Sequence, residues 1–272
     1  MIVISSSLTL GETPETHPNA PLIAYRNLVT ASNITADTAA EGYPASNMAN
    51  PITAPGARWR AGDTTAQAVS VEVQTVDPID YIAIARHNLG SEAIPVTVEG
   101  STDDGDNWSE LVQEVLLADD APALFRFTPQ ALTNIRLSLG EGDAPAEIAV
   151  LYTGLLLALQ RRIYVGHVPM PYGRSAKIVN GKSEGGDFLG RIVLSEQLAT
   201  AVEIKNITPA WYRASLDPFI VASKETPFFF AWRPGDYPDE TGFAWMTNDP
   251  QPQNARRNGM MQISLQMTGI AS

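Results

Sequence analysis

The chain has 272 residues, 44% of them hydrophobic, with a mean hydropathy of −0.07 and no cysteine; it can bury sizeable cores, while disulfides, thiolate metal sites and cysteine nucleophiles are excluded. The net charge of −12 is unevenly placed: residues 1–155 hold 20 acids against six arginines and no lysine, whereas residues 156–272 hold 12 cations against 10 acids. A lysine-free, acidic first half repels a phosphate backbone, which argues against nucleic-acid binding, and the change of composition near residue 155 predicts a domain boundary.

The opening MIVISSSLTLGETPET has neither the basic region nor the apolar stretch of a secretory signal. The most apolar run, IAVLYTGLLLAL (Ile148 to Leu159), is shorter than the roughly 20 residues that span a bilayer. These features predict a soluble protein with no encoded export route and no membrane span. Residues 1–21 read as an N-terminal arm. The loop cluster EGYPASNMANPITAPGARWRAGD (Glu41 to Asp63) sets Arg58 and Arg60 around Trp59, with Tyr43 upstream. Arginine beside aromatics can grip a sugar or a carboxylate. The plainer expectation is a buried Trp59 plug with the arginines paired to surplus acids.

From Val69, VSVEVQTV alternates apolar and polar residues with the period of a half-buried strand. YIAIAR (from Tyr81), IPVTVEGS (from Ile94), ALFRFTP (from Ala123), NIRLSLG (from Asn134) and AEIAVLYTG (from Ala146) follow at regular spacing, separated by Gly, Pro, Asp and Asn. The pattern predicts an antiparallel β-sandwich. Within it, STDDGDNW (Ser101 to Trp108) packs three carboxylates beside a tryptophan. A hairpin turn, a partial metal site and a catalytic pair are all conceivable. Turn chemistry favours the first, because Asp104-Gly105 supplies positive φ and Asp103 can accept from the turn's own N–H groups. An EF-hand starting at Asp103 would want an oxygen ligand where Gly105 stands and glycine where Trp108 stands.

In the second half, QRRIYVGHVPMPYGR (Gln160 to Arg174) reads as a strand and a proline-punctuated crossing. Asn180-Gly181 reads as a hairpin turn, and Asp187 to Ile207 as one long extended segment or two. Thr208 to Glu225 is the best helix, capped by Thr208, with Pro209 in its first turn and Pro218 kinking or dividing it. Strands close the chain, giving a smaller α+β domain. The run Phe228 to Phe230 puts aromatics on both faces of one strand, so one face is expected to be covered, for instance by a neighbouring subunit. His17, His87 and His167 stand far apart with no HExxH or GxSxG context, so no zinc or triad hydrolase is predicted. AKIVNGKS (from Ala176) lacks the first glycine and following helix of a phosphate loop.

Several of these pieces carry resemblances. Ser101, Asp103, Gly105 and Trp108 resemble the Asp-box hairpin of sialidase propellers and other β proteins. LVTASNITAD with YPASNMANP, ARWRAGD, VTVEGSTDDGDNW and NIRLSLGEGDAPAEIAVLYTG, in that order, resemble the discoidin family of galactose-binding-like jelly rolls over residues 22–155. That resemblance implies ligand binding at loop tips, which here would use Tyr43, Arg60, His87 and Asn88. It also implies a structural calcium, whose ligands would fall at Asn50 and Glu147, although Pro51 stands where the family has Asp-Gly. Residues 156–272 resemble in strand and helix order the ring-forming core of distal tail proteins from long-tailed bacteriophages. The implied protein is a non-enzymatic virion component assembled in the bacterial cytoplasm. It would form a homo-oligomeric ring, commonly sixfold, between tail tube and tail hub, with the jelly roll outward and a host-surface glycan as its possible ligand. A carbohydrate-binding attachment module is the alternative, and a polysaccharide hydrolase ranks last.

Overall fold

The computed structural model describes residues 1–13, 15–163, 166–254 and 259–270. The protein is mainly β, with a jelly-roll sandwich in its first half. The outer sheet of that sandwich is antiparallel, in the order β3 (Ile34–Ala36), β5 (Gln67–Glu72), β10 (Asn134–Leu139), β7 (Val96–Ser101) and β8 (Ser109–Val115). It obeys the alternation read from the sequence: Val69 and Val71 of β5 and Ile135 and Leu137 of β10 point inward, and the residues between them do not.

The middle sheet, β1 (Ile2–Ile4), β9 (Ala123–Gln130), β6 (Ile79–His87), β11 (Glu147–Gly154) and β4 (Trp59–Arg60), does not alternate. Only Arg86 of β6 is exposed, and no residue of β11 is. One face, with Ile82, Ile84, Phe125 and Leu151, packs on the outer sheet. The other face, with Tyr81, Ala83, Leu124, Val150 and Tyr152, packs on a third sheet. A sheet covered on both sides must be apolar on both.

The third sheet runs β12 (Leu157–Ala158), β2 (Leu22–Ala24), β15 (Phe228–Ala231), β16 (Thr241–Met246), β18 (Met261–Ile270), β14 (Phe188–Ile207) and β13 (Arg174–Lys182), with β17 (Gln253–Asn254) added on β18. Its far face is closed by a helix that runs from Pro209–Trp211 through a π turn at Tyr212–Leu216 into Asp217–Ala222. Thr208 caps it, its Oγ1 accepting from Trp211 N at 3.3 Å. The wider π turn lies just ahead of Pro218 and accommodates its missing N–H, so the helix continues where a break was expected.

Four expectations change. Phe228 to Phe230 are fully covered within the chain: Phe228 meets Phe219 of the helix, with ring centroids 4.9 Å apart, and Phe229 meets Tyr152 of the middle sheet at 5.6 Å. No neighbouring subunit is needed to cover that strand. Residues 1–21 are not simply an arm, because β1 pairs in parallel with β9 while Leu22–Ala24 joins the third sheet. Of the strand expected in Gln160 to Arg174, only Arg174 is in a strand, as the first residue of β13; the other described residues of the stretch form none, and positions 164 and 165 lie outside the described residues. Asn180-Gly181 lies within β13, and the turn falls at Ser183 to Asp187, where Ser183 Oγ accepts from Asp187 N at 2.9 Å and Gly186 takes φ 90°.

The hairpin β13–β14 leaves the body. Every residue of β13 is exposed, and β14 becomes buried on one side only from about Thr200 onward.

Asp80 sits at the seam between the middle and third sheets, 5% exposed, its Oδ1 accepting from Leu156 N at 2.8 Å. Burial raises its pKa from 3.8 to about 6, against the opposing Leu156 hydrogen bond and the charge of Arg126. The folded chain therefore holds this proton longer than the unfolded one. The stabilisation is complete below the unfolded pKa and is lost as pH rises through 6. His87 runs oppositely, since burial lowers its pKa to about 4. Comparing parent with Asp80→Asn isolates the carboxyl: in urea unfolding, the variant should gain about 3 kcal/mol on the parent between pH 4 and 7.5. A difference independent of pH would contradict this.

Candidate functional site

The sequence-predicted residues collect at one end of the sandwich, around β4 and the start of β11. Glu147 opens β11 opposite Arg60 of β4 in register. Its side chain is 14% exposed, and its two oxygens are taken separately, Oε2 by Arg58 Nη1 and Oε1 by the Nε and Nη2 of Arg60. Between the arginines Trp59 is fully buried, with Nε1 donating to Thr38 O at 2.9 Å, as the plug reading expected. Strand alternation explains the set: Trp59 faces the core, so both neighbours face away, toward the carboxylate.

Arg60 also lies over the ring of Tyr43, 4.8 Å from its centroid. Tyr43 is half-buried and the Arg60 side chain is 41% exposed, so this pair faces solvent. His87 and Asn88 are placed differently. His87 is 6% exposed, with Nε2 directed at Ala121 O at 2.9 Å and Nδ1 accepting from Leu89 N at 3.3 Å. Asn88 Nδ2 donates to Pro145 O at 2.9 Å, while its Oδ1 accepts from Glu147 N at 2.8 Å. Both side chains use their polar atoms to join loops, so the structure brings Tyr43 and Arg60 together as accessible groups and assigns His87 and Asn88 to the scaffold.

A calcium ion at Asn50 and Glu147 does not fit these residues. Both carboxylate oxygens of Glu147 are engaged by guanidinium groups, which bring two positive charges to the place a divalent cation would take. Asn50 is exposed at the end of the short turn Ala45–Ala49, its N–H donating to Asn47 O.

The acidic turn is built as turn chemistry predicts. Ser101 Oγ donates to Asp103 Oδ1 at 2.6 Å and accepts from Gly105 N at 3.0 Å, and Asp103 Oδ1 accepts from Asn107 N at 2.9 Å. Asp104 and Gly105 take φ 59° and 93°. Hydrogen bonds from the Asn107 and Ser101 side chains pull the Asp103 pKa down to about 2. Arg136 lies 4.1 Å over Trp108 and pairs with Glu99 at 2.8 Å, bracing the hairpin base.

The sequence matches no family model and no curated protein. Solved structures similar to about half of the chain include several carbohydrate-binding modules. Chitosan-binding module 1 of a chitosanase/glucanase from Paenibacillus sp. IK-5 is 16% identical over 47% of this chain and 98% of its own, with a TM-score of 0.42. CpGH89CBM32-5 from Clostridium perfringens, solved with GalNAc-β-1,3-galactose, is 16% identical over 47% and 99%, at 0.41. A fucose-binding module from Streptococcus pneumoniae is 12% identical over 48% and 95%, at 0.40.

Two features escaped the sequence. The Arg58–Glu147–Arg60 clamp joins residues almost 90 positions apart; the arginines were noticed, but nothing in one sequence named their partner. The second is a cluster in the loop after β15. There Trp232 stacks on Tyr237 at 5.4 Å, Arg233 lies over both rings, and His167 meets Trp232 edge-on at 4.4 Å.

Removing the shared carboxylate tests the clamp. Glu147→Gln should destabilise the fold by about 2–4 kcal/mol, since two partly buried guanidinium groups lose their counter-charge. Calorimetry of the parent in calcium chloride and in EDTA should give the same Tm. A rise with calcium would refute the clamp as the element that closes these loops.

Proposed function

We propose that the chain is a non-enzymatic structural subunit of the tail tip or baseplate of a long-tailed bacteriophage. Residues 156–272 assemble with further copies into a ring and contact the tail tube and hub, and the jelly roll of residues 22–155 faces outward. The ring belongs to the virion and forms in the host cytoplasm. One observation supports the assembly in this reading, while the place in a tail rests on the resemblance of residues 156–272. The β13–β14 hairpin stands clear of its own body with Phe188 66%, Leu189 69% and Ile192 63% exposed, a contiguous apolar surface of the kind that marks an interaction site. The stacked middle sheet adds support, since a jelly roll fixed across a whole sheet face is held in a set orientation on its base.

A second reading concerns the jelly roll alone. Tyr43 and Arg60 pair an accessible aromatic ring with a guanidinium at the loop end, the combination that packs on a sugar ring and bonds its hydroxyls. The jelly roll would then hold a host-surface glycan while the base assembles.

Negative-stain electron microscopy of the purified chain at about 100 µM should reveal closed rings, and mass spectrometry should find the chain in intact tails. A persistent monomer absent from tail particles would end the structural reading. A glycan array should give binding that Tyr43→Ala lowers at least tenfold with the Tm unchanged; silence on the array would end the second reading and leave the first standing.

A further inference from the structure

The hairpin's sequence and its neighbours indicate what it docks on. In β13 and β14, Ile178 pairs with Val193 and Val179 with Ile192, and successive residues alternate sides, so both faces of the ribbon are apolar. Ile178, Val179, Ile192 and Val193 are 39%, 50%, 63% and 46% exposed, and Phe188 and Leu189 crown the tip. The exposed apolar area is roughly 600 Å², close to the ~800 Å² that one partner contributes to a stable interface. The free edge of β13 adds a row of unpaired backbone groups.

Charge selects among partners. β13 carries Arg174, Lys177 and Lys182 and no acid, with Arg191 opposite on β14; the acids of the arm are Glu184 and Asp187 at the turn and Glu196 opposite Ala176, so its cations lie on the free-edge strand. Two such arms laid edge to edge would set cation against cation, which disfavours a symmetric arm-to-arm contact. The chain's own complement is its first half, with 20 acids, six arginines and no lysine. Four of those arginines are already engaged by the fold: Arg58 and Arg60 on Glu147, Arg136 on Glu99, and Arg126 buried with Nη2 donating to Glu15 O at 2.5 Å. The acids on that surface therefore face outward largely uncompensated.

We infer that the β13–β14 arm docks on the acidic jelly roll of a second copy of this chain. Each copy carries both surfaces, so the same contact closes as a twofold pair when two copies exchange arms, and as a ring or an open filament when it repeats head to tail. The inference rests on the assembly reading above and adds which surfaces meet.

The test uses the full chain, as an equimolar mixture of isotopically labelled and unlabelled protein, with zero-length coupling of amines to carboxylates. Labelled–unlabelled links should join Lys177 or Lys182 to acids within residues 1–155. Lys177→Glu with Lys182→Glu, and separately Phe188→Ser with Ile192→Ser, should each weaken assembly at least tenfold in analytical ultracentrifugation. Their Tm should stay at the parental value, since Lys177, Lys182, Phe188 and Ile192 are all exposed. If assembly persists in both variants, or if the links join arm to arm, the docking inference fails while the assembly reading stands. If the parent itself never assembles, both fail together.

Discussion

The structure depends on one sheet being buried on both faces. The middle sheet closes the jelly-roll core with one surface and carries the second half of the chain with the other, through Tyr81, Leu124, Val150 and Tyr152 against Leu22, Ala24, Phe229 and Phe243. Helix, third sheet, middle sheet and outer sheet thus form four consecutive layers, each sealed by the next. At about 25 cal/mol per Å² of apolar area, the edge-to-face packing of Tyr152 on Phe229 and Phe243 places several kcal/mol at the seam. The chain also crosses the seam near its beginning: β1 pairs in the middle sheet and β2 in the third. The two halves are therefore tethered by the chain near its start as well as between β11 and β12.

Much of this was legible in the sequence. The alternation in VSVEVQTV gave β5 its faces correctly, and Asp104-Gly105 gave the turn, because both signals are local. The double burial was also written in the sequence, in YIAIAR and IAVLYTG, where apolar residues run without a polar alternate. Such runs belong to strands covered on both sides. The aromatic run at Phe228 to Phe230 carries the same signature and was assigned a neighbouring subunit; one sequence cannot say whether the covering layer comes from the same chain. Asn180-Gly181 misled for a related reason. A favourable turn dipeptide competes with strand pairing on either side, and here the ribbon continues past it to Ser183.

Charge is arranged as economically as apolar surface. An acid-rich jelly roll uses four of its six arginines to hold its own structure: two hold Glu147 and so tie β4 to β11, one braces the Asp103 hairpin through Trp108, and one is buried beneath the N-terminal segment. Cations fixed by the covalent chain do at the loop end what a bound metal ion would otherwise do, with two consequences. The loop end is closed by groups of the chain itself, and Arg60, still 41% exposed, stays open to solvent beside Tyr43.

The exposed arm follows from the same layering. β14 is a single 20-residue strand whose C-terminal part is held between β18 and the core by Val202, Ile204 and Ile207. Its N-terminal part is the unsupported continuation of that anchored strand, and β13 can pair only with it. Direction and register are consequently set before any partner arrives. Ordering such a segment costs little at the moment of contact, because the backbone entropy was already lost when the third sheet formed. A flexible loop bearing the same six apolar residues would give up much of its burial energy to that ordering. An arm prefixed by its own sheet retains it for the interface.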